Sequence, residues 1–183
     1  MNIIDLTVWM SVILWGFLAF YWIIRAKERG VGNEIVGLLK LILSGVIIYL
    51  PLIFSIVRFS YERSMFVSVI GLIMVVLGCI VCIVGREKLA GNWSGKVAIH
   101  SGHQLVQNGI YGVIRHPIYA GILVMMFGVS MIIGNIFGFI WTALCFFGLF
   151  RKSKQEETVL YEKFGTEYAE YLKKTKMFIP FLL

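Results

Sequence analysis

Two short polar stretches flank one long apolar run, and their residue types are those that hold protons, anions or charged ligands. The first runs from Arg115 to Tyr119 and reads Arg-His-Pro-Ile-Tyr. The second runs from Arg151 to Glu157 and reads Arg-Lys-Ser-Lys-Gln-Glu-Glu. Imidazole and carboxylate side chains can act as general acids and bases, and a helix N-terminus attracts anions. If the fold brings the two stretches together, they form a polar site that can bind and orient a charged ligand.

The apolar run between them, Ile118–Phe150, has 33 residues and no charge. One straight helix of this length would be about 50 Å long, well beyond the hydrocarbon core of about 30 Å. Gly134 and Asn135 interrupt the run near its middle, and such a pair is typical of a turn. The sequence therefore predicts a helical hairpin whose two ends return to one membrane face. That hairpin would bring six polar residues together: His116, Tyr119, Arg151, Lys152, Glu156 and Glu157.

Each polar stretch also has a simpler interpretation. Pro117 suits the first position of a helix, where its missing N–H costs nothing. Arg115 and His116 would then only anchor the hairpin among the lipid headgroups. Glu156 and Glu157 would be the acidic residues of a solvated helix start. The residues alone leave these alternatives open, and the predicted hairpin favours a shared site.

The composition places the chain among integral membrane proteins. Of its 183 residues, 59% are hydrophobic and 15% are charged, which is more apolar than a soluble domain of this size needs. We predict a single all-α membrane domain over residues 1–183. The net charge of +7 is expected from basic loops on the cytoplasmic side. We therefore expect contacts with membrane lipids and no nucleic-acid partner.

Five apolar segments predict five transmembrane helices. Residues 1–84 contain three of them, and residues 85–183 contain a loop, the helical hairpin and a tail. An apolar stripe from Lys154 to Tyr171 predicts an amphipathic C-terminal helix in the cytoplasm, with Gly165 as a weak point in it. The five segments are Ile3–Ile24, Ile35–Val57, Phe66–Val84, Ile118–Ile133 and Ile136–Phe150.

The distribution of basic residues predicts the orientation of these segments. If five segments alternate across the membrane, one side carries 14 Lys and Arg residues and the other side carries two. Basic residues accumulate on the cytoplasmic side of membrane proteins. We therefore expect the N-terminus outside, and the C-terminus and the polar site in the cytoplasm.

The stretch from Gly85 to Pro117 is too long for a simple connecting turn. Its part between Ser101 and Tyr111 combines glycines with His103 and Tyr111, which suits a polar cofactor that carries a ring. An ordinary amphipathic connector is the alternative. We expect no metal site, because His100 and His103 have no evident third ligand in the sequence.

An ordered series of motifs from Gly91 to the C-terminus resembles the isoprenylcysteine carboxyl methyltransferases, a group related to the small phospholipid N-methyltransferases. The resemblance covers about half of the chain, and the first three segments agree with the family only as apolar segments. The motifs are, in order, Gly91-Asn92-Trp93-Ser94, His103-x-Leu105-Val106, Gly109-Ile110-Tyr111, Arg115-His116-Pro117-x-Tyr119, Glu156-Glu157-x-x-Leu160, Phe164-Gly165-x-x-Tyr168-x-x-Tyr171 and Pro180.

The resemblance implies S-adenosylmethionine as the methyl donor, bound at the cytoplasmic face and not in a Rossmann-type domain. It also implies a cation near the exit of the last helix that meets the methyl acceptor, where the family has an Arg. Counted back from Phe164-Gly165, this chain has Lys152 there, with Arg151 just before it. Lys keeps the charge but lacks the bidentate fork of Arg. The cofactor-binding positions that the resemblance implies are His103, Leu105, Val106, Tyr111, His116, Pro117, Tyr119 and Glu156.

The implied reaction transfers a methyl group from a sulfonium to a lipophilic acceptor that enters from the bilayer. The acceptor implied first is the carboxylate of a prenylated cysteine or a similar lipid acid, which is ionised at neutral pH and needs no strong base. A phospholipid amine or a thiol would need deprotonation, for which His116 or Glu156 is suited. The candidate catalytic residues are therefore Lys152, Arg151, His116 and Glu156.

Two functions of other classes stay open. Membrane sterol reductases that use a nicotinamide cofactor share a related C-terminal pattern, but those chains are longer and have more helices. A non-enzymatic membrane subunit could use the basic loops to bind anionic lipid or a partner.

Overall fold

The computed structural model describes residues 3–27, 64–89 and 105–180, and these residues are helical apart from short connections. A short 3-10 helix, Gly109–Gly112, precedes the third α-helix. An isolated parallel bridge pairs Ile114 with Lys176. The α-helices are α1 (Ile3–Lys27), α2 (Met65–Leu89), α3 (Pro117–Ile133), α4 (Ile136–Phe164) and α5 (Thr166–Lys174).

Four of the five predicted apolar segments correspond to helices in the described part of the chain. By length and composition, α1, α2 and α4 are each long and apolar enough to cross a membrane. The shorter apolar helix α3 has 17 residues, which is about 26 Å at the standard rise. The predicted segment Ile35–Val57 lies outside the described residues. The all-α class predicted from composition is confirmed.

The chain forms two compact units, and each contains parts of several helices. The first consists of Met1–Cys79 and Val124–Thr142, and the second of Ile80–Leu123 and Ala143–Leu183. In the first unit, Gly71 and Gly128 lie backbone to backbone. A Cβ atom at Gly128 would lie 2.5 Å from the carbonyl oxygen of Gly71. Two helices approach this closely only where neither has a side chain at the crossing.

The predicted break in the long apolar run is present at Gly134 and Asn135. Gly134 ends α3 with a positive φ of 67°, a conformation that favours glycine. Asn135 is buried, and its Oδ1 accepts a hydrogen bond of 2.9 Å from the N–H of Phe137. This contact satisfies one of the free N–H groups at the start of α4. The Gly-Asn pair therefore both stops one helix and starts the next.

One predicted boundary is wrong. The last apolar segment was expected to end at Phe150, with a separate tail helix from Lys154 to Tyr171. Instead, α4 runs without a break from Ile136 to Phe164. The reason is that Lys, Gln, Glu and Leu, which are strong helix formers, follow Phe150. The break comes at Gly165, whose φ is 52°, and α5 starts directly after it.

Candidate active site

The second unit holds the predicted polar site, and the start of α3 is fixed there by close packing. Pro117 is the first residue of α3, as the sequence predicted. A Cβ atom at Gly85 would lie 3.1 Å from the Ile118 side chain, so α2 and α3 approach each other tightly here. The Sγ atom of Cys82 lies 3.4 Å from the carbonyl oxygen of Ile118. This packing holds His116, which is 7% exposed, at a defined position before the helix.

Arg115 and Glu157 form a buried ion pair. Nε of Arg115 donates to Oε1 of Glu157 over 2.7 Å, and their side chains are 11% and 8% exposed. Nε2 of His116 lies 3.5 Å from the same carboxylate oxygen. Lys154 lies 3.3 Å from the other oxygen of Glu157. A buried carboxylate of this kind is paired because an unpaired one would be strongly unfavourable.

A second carboxylate, that of Glu156, lies near the other ring nitrogen of His116. The Tyr119 hydroxyl donates to Oε1 of Glu156 over 2.5 Å. Nδ1 of His116 lies 3.6 Å from Oε2 of the same residue. The rings of His116 and Tyr119 are nearly parallel, with an interplanar angle of 9° and centroids 5.7 Å apart. One imidazole and one phenol thus meet two neighbouring carboxylates from the opposite end of the apolar run.

These contacts decide between the interpretations that the sequence left open. Glu156 and Glu157 lie in the interior of α4, not at a helix start, and Glu157 is buried. His116 is buried as well. The interpretation of Glu156 and Glu157 as a solvated helix start is therefore wrong, and His116 contacts both carboxylates in addition to any anchoring of the hairpin.

The two candidate cations at the end of the apolar part of α4 differ in their surroundings. Lys152 is partly buried, and its Nζ lies 5.3 Å from the centroid of the Tyr119 ring, within the range of a cation–π contact. Arg151 is exposed. Lys152 is therefore the one that lies beside Tyr119.

Two buried tyrosines extend the polar network by hydrogen bonds, and a third, Tyr168, is buried beside Tyr171. The hydroxyl of Tyr171 donates to the carbonyl oxygen of Tyr111 over 2.7 Å. The hydroxyl of Tyr111 donates to the carbonyl oxygen of Gly85 over 3.3 Å. Burial raises the pKa of Tyr111, Tyr168 and Tyr171 above the usual value of a phenol. The hydroxyls of Tyr111 and Tyr171 therefore stay protonated and act as hydrogen-bond donors at neutral pH.

The structure also brings in residues that the sequence analysis did not predict. Thr175, Met177 and Phe178 are buried in the second unit, and the backbone of this segment pairs with the residues just before α3. No sequence signal marked these residues, because a tail beyond the last helix has no periodic pattern to read.

The remaining predicted cofactor-binding residues lie before α3, in or near the irregular segment that precedes the 3-10 helix. Leu105 and Val106 are partly buried in an irregular segment before the 3-10 helix. His103 lies outside the described residues. Among the residues described, no group of three or more His, Cys, Asp or Glu side chains is placed to hold a metal ion.

The same stretch of sequence matches a family model. The model of the isoprenylcysteine carboxyl methyltransferase family matches residues 69–162, which is just over half of the chain and includes His116, Tyr119, Glu156 and Glu157. The chain belongs to this family. It is an integral membrane protein, which its apolar helices and its similarity to a solved intramembrane methyltransferase support.

Several members of this family are similar to this chain over about two thirds of its length. A probable protein-S-isoprenylcysteine O-methyltransferase of Oryza sativa subsp. indica is 31% identical over 120 residues, which are 64% of this chain and 63% of the relative. The protein-S-isoprenylcysteine O-methyltransferase of Homo sapiens is 32% identical over 124 residues, 66% of this chain and 44% of that protein.

A solved structure is similar as well. It is that of the eukaryotic intramembrane Ras methyltransferase, an isoprenylcysteine carboxyl methyltransferase, without a monobody. The TM-score is 0.60 at 28% identity, and the alignment covers 64% of this chain and 43% of the other. The chain thus spans less than two thirds of the length of these relatives.

Proposed function

We propose that this protein transfers a methyl group from S-adenosylmethionine to a lipophilic acceptor, and that the acceptor is the carboxylate of a prenylated cysteine or a similar lipid acid. The observation that carries the proposal is the meeting of His116 and Tyr119 with Glu156 and Glu157 across the apolar run. Family membership supports the reaction class, and the names of the relatives support the acceptor class.

The residues present suit a polar cofactor of this kind. The hydroxyls of Ser153 and Tyr168 are buried and have no hydrogen-bond partner in the described part of the chain. Nε2 of His116 makes no hydrogen bond there either. Buried polar atoms without partners are unfavourable and are expected where a ligand supplies the partner. Ser153 lies one turn before Glu157 on the same face of α4, and His116 Nε2 lies 3.5 Å from the Glu157 carboxylate.

The amino group and the carboxylate of the cofactor each have a chemical partner among these residues. We assign its amino group to Glu156 and the Tyr119 hydroxyl, because a carboxylate accepts hydrogen bonds from an ammonium. We assign its carboxylate to the N-terminus of α3, whose first N–H groups have no intrahelical acceptor. When bound, S-adenosylmethionine supplies an electrophilic methyl group on a sulfonium. We propose that Tyr111, Leu105, Val106, Pro117 and His103 complete the pocket.

The protein's own contribution follows from the acceptor. A carboxylate acceptor is ionised at neutral pH, so the site has to align the partners and exclude water more than it has to move a proton. The low exposure of His116, Glu157 and Tyr168 supports such a water-poor site. We propose Lys152 as the cation that meets the acceptor carboxylate, since it lies beside Tyr119. Arg151, being exposed, is the weaker candidate.

We further propose the topology predicted from the sequence: five transmembrane segments, with α3 and the apolar part of α4 as a hairpin. The N-terminus lies outside, and the active site and α5 lie in the cytoplasm. Support comes from the turn at Gly134-Asn135 and from the excess of basic residues on one predicted side. The acceptor would then reach the site laterally from the bilayer.

Calorimetry on the purified protein with S-adenosylhomocysteine tests the cofactor, and NADPH in parallel tests the reductase alternative. We expect binding of S-adenosylhomocysteine only. His116→Ala, Tyr119→Phe and Glu156→Gln should each weaken it by about 5- to 150-fold, because each removes one polar partner worth about 1–3 kcal/mol. Tyr161→Phe and Glu162→Gln change the same residue types at exposed positions of α4 and should leave affinity unchanged.

A labelled-methyl assay on a panel of acceptors tests the substrate class. The panel contains a farnesylated cysteine, a fatty acid, phosphatidylethanolamine and a small alkyl thiol. Methylation of the farnesylated cysteine above the other three supports the proposal. Transfer only to the amine or only to the thiol would replace the proposed acceptor, and no ligand binding at all would favour a non-enzymatic subunit.

A further inference from the structure

The segment after α5, Thr175–Phe178, pairs with the residues just before α3, and we refer to it as the strap. The N–H of Arg115 donates to the carbonyl oxygen of Lys176 over 2.8 Å, and the N–H of His116 donates to that of Met177 over 3.0 Å. In return, the N–H of Lys176 donates to the carbonyl oxygen of Val113 over 3.2 Å. The strap thus fixes the backbone of His116 itself.

The side chain of Arg115 holds the strap to α4. Besides its 2.7 Å contact with Glu157, the guanidinium donates through Nη1 to the carbonyl oxygen of Thr175. The hydroxyl of Thr175 donates to the carbonyl oxygen of Tyr171 over 2.7 Å, which ties the strap to α5. A planar group with several fixed donors can bridge a carboxylate and a carbonyl at once, and Lys cannot do so in the same geometry.

The last residue of the strap, Phe178, lies beside the imidazole ring of His116. Phe178 is 4% exposed. Its ring centroid lies 6.0 Å from that of His116 and 5.9 Å from that of Phe146 in α4. The His116 ring therefore has Tyr119 as one aromatic neighbour and Phe178 as another. The strap lies beyond residues 69–162, which the family model matches.

We propose that the strap is a structural part of the cofactor site: Phe178 fixes the orientation of the His116 ring, and Arg115 is the positioning residue that holds the strap in place. Neither residue needs to touch the reacting atoms. This inference rests on the proposed function, because it assumes that His116 binds S-adenosylmethionine. It adds that the part of the chain after the last helix is required for that binding.

The test is a double-mutant cycle between His116 and Phe178 on the full-length protein, with S-adenosylhomocysteine affinity as the readout. Phe178→Ala should weaken binding about tenfold, and Ile179→Ala, an exposed neighbour, should not. In a His116→Ala background, Phe178→Ala should have almost no further effect, because its influence passes through the imidazole. A purely structural role would weaken binding equally in both backgrounds.

Two further variants keep the inference testable if Phe178→Ala unfolds. Phe178→Leu keeps an apolar side chain at the position and should lose affinity less than Phe178→Ala. Arg115→Lys should weaken binding several-fold, because it keeps the charge but releases either Thr175 or Glu157.

The outcomes separate the two proposals. Wild-type protein that does not bind the ligand overturns the proposed function, on which this inference rests. Wild-type protein that binds, with Phe178→Leu and Arg115→Lys both within twofold of it, overturns the role of the strap alone. Equal losses from Phe178→Ala with and without His116 overturn it as well.

Discussion

The two compact units hold their helices together by different means. In the described part of the first unit, the backbones of Gly71 and Gly128 approach each other closely. A hydrogen bond of 3.0 Å between Ser130 and Thr142 is one polar addition there. In the second unit, side-chain ion pairs and hydrogen bonds join the elements, with Arg115 and Glu157 at the centre. The helices of the first unit are therefore held mainly by close backbone packing, and the elements of the second unit mainly by ion pairs and hydrogen bonds.

This difference follows from what each kind of contact does in a membrane protein. Helices surrounded by lipid gain little from hydrophobic burial, so small residues that allow close packing stabilise them. A buried ion pair contributes little net stability but fixes geometry, because breaking it leaves an unpaired charge. Changes in the first unit should therefore alter stability alone, and changes in the second should also alter ligand binding.

The largest expected effect is that of Gly128→Ala. The new Cβ atom would lie 2.5 Å from the carbonyl oxygen of Gly71, and backbone cannot move aside as a flexible side chain can. We expect a loss of about 3 kcal/mol or more, since overpacking typically costs about 1–3 kcal/mol with side chains alone. The midpoint of thermal unfolding in detergent measures it.

Gly16→Ala is the matched control for that change, because no atom lies within 4 Å of a Cβ atom built there. It should be neutral or slightly stabilising, as Ala is favoured over Gly in a helix by roughly 0.5–1 kcal/mol. Equal unfolding midpoints for the two variants would contradict the close crossing. Gly128→Ala protein that still folds should bind S-adenosylhomocysteine normally. Weakened binding would contradict the claim that changes in the first unit alter stability alone.

Glu157→Gln should have the next largest effect. It leaves the buried guanidinium of Arg115 without its counter-charge, which costs about 3–5 kcal/mol in buried pairs. We expect about 3 kcal/mol, because the amide still offers an acceptor. Thermal unfolding and calorimetry together should show both lower stability and weaker ligand binding. Glu162→Gln is the exposed control on the same helix, and an equal effect of both changes would mean that the ion pair contributes nothing specific.

The smallest expected effect on stability, and the most specific effect on function, comes from Lys152. If the acceptor is an acid, Lys152→Met should raise its KM or lower kcat by about tenfold, while S-adenosylhomocysteine affinity stays near that of wild type. Lys152→Arg should retain or improve activity, because it restores the bidentate fork. Steady-state kinetics on the three proteins measures these effects.

Two other results for Lys152 would redirect the assignment. An amine acceptor would be repelled by a cation, so Lys152→Met would then be neutral or favourable. Parallel losses of cofactor affinity and turnover would show that Lys152 contacts the cofactor, and Arg151→Met would then be the next variant to test as the acceptor's partner.

Features that depend on local chemistry could be predicted from the residues alone. Composition gave the all-α membrane class, and Pro117 marked the start of α3 because its missing N–H suits a first helical turn. The pair Gly134-Asn135 marked the turn, since a positive φ favours glycine. The predicted turn also placed His116 and Tyr119 near Glu156, and the contacts in the structure confirm that proximity. A break in the middle of a long apolar run leaves few other arrangements.

Features that depend on contacts between distant residues became visible only in the folded chain. Glu157 pairs with Arg115, whereas Glu156 accepts a hydrogen bond from Tyr119. Two adjacent identical residues give no sequence signal for which partner each one has. The strap that ends at Phe178 has no periodicity, and its place beside His116 is set by backbone hydrogen bonds between residues some 60 positions apart in the chain.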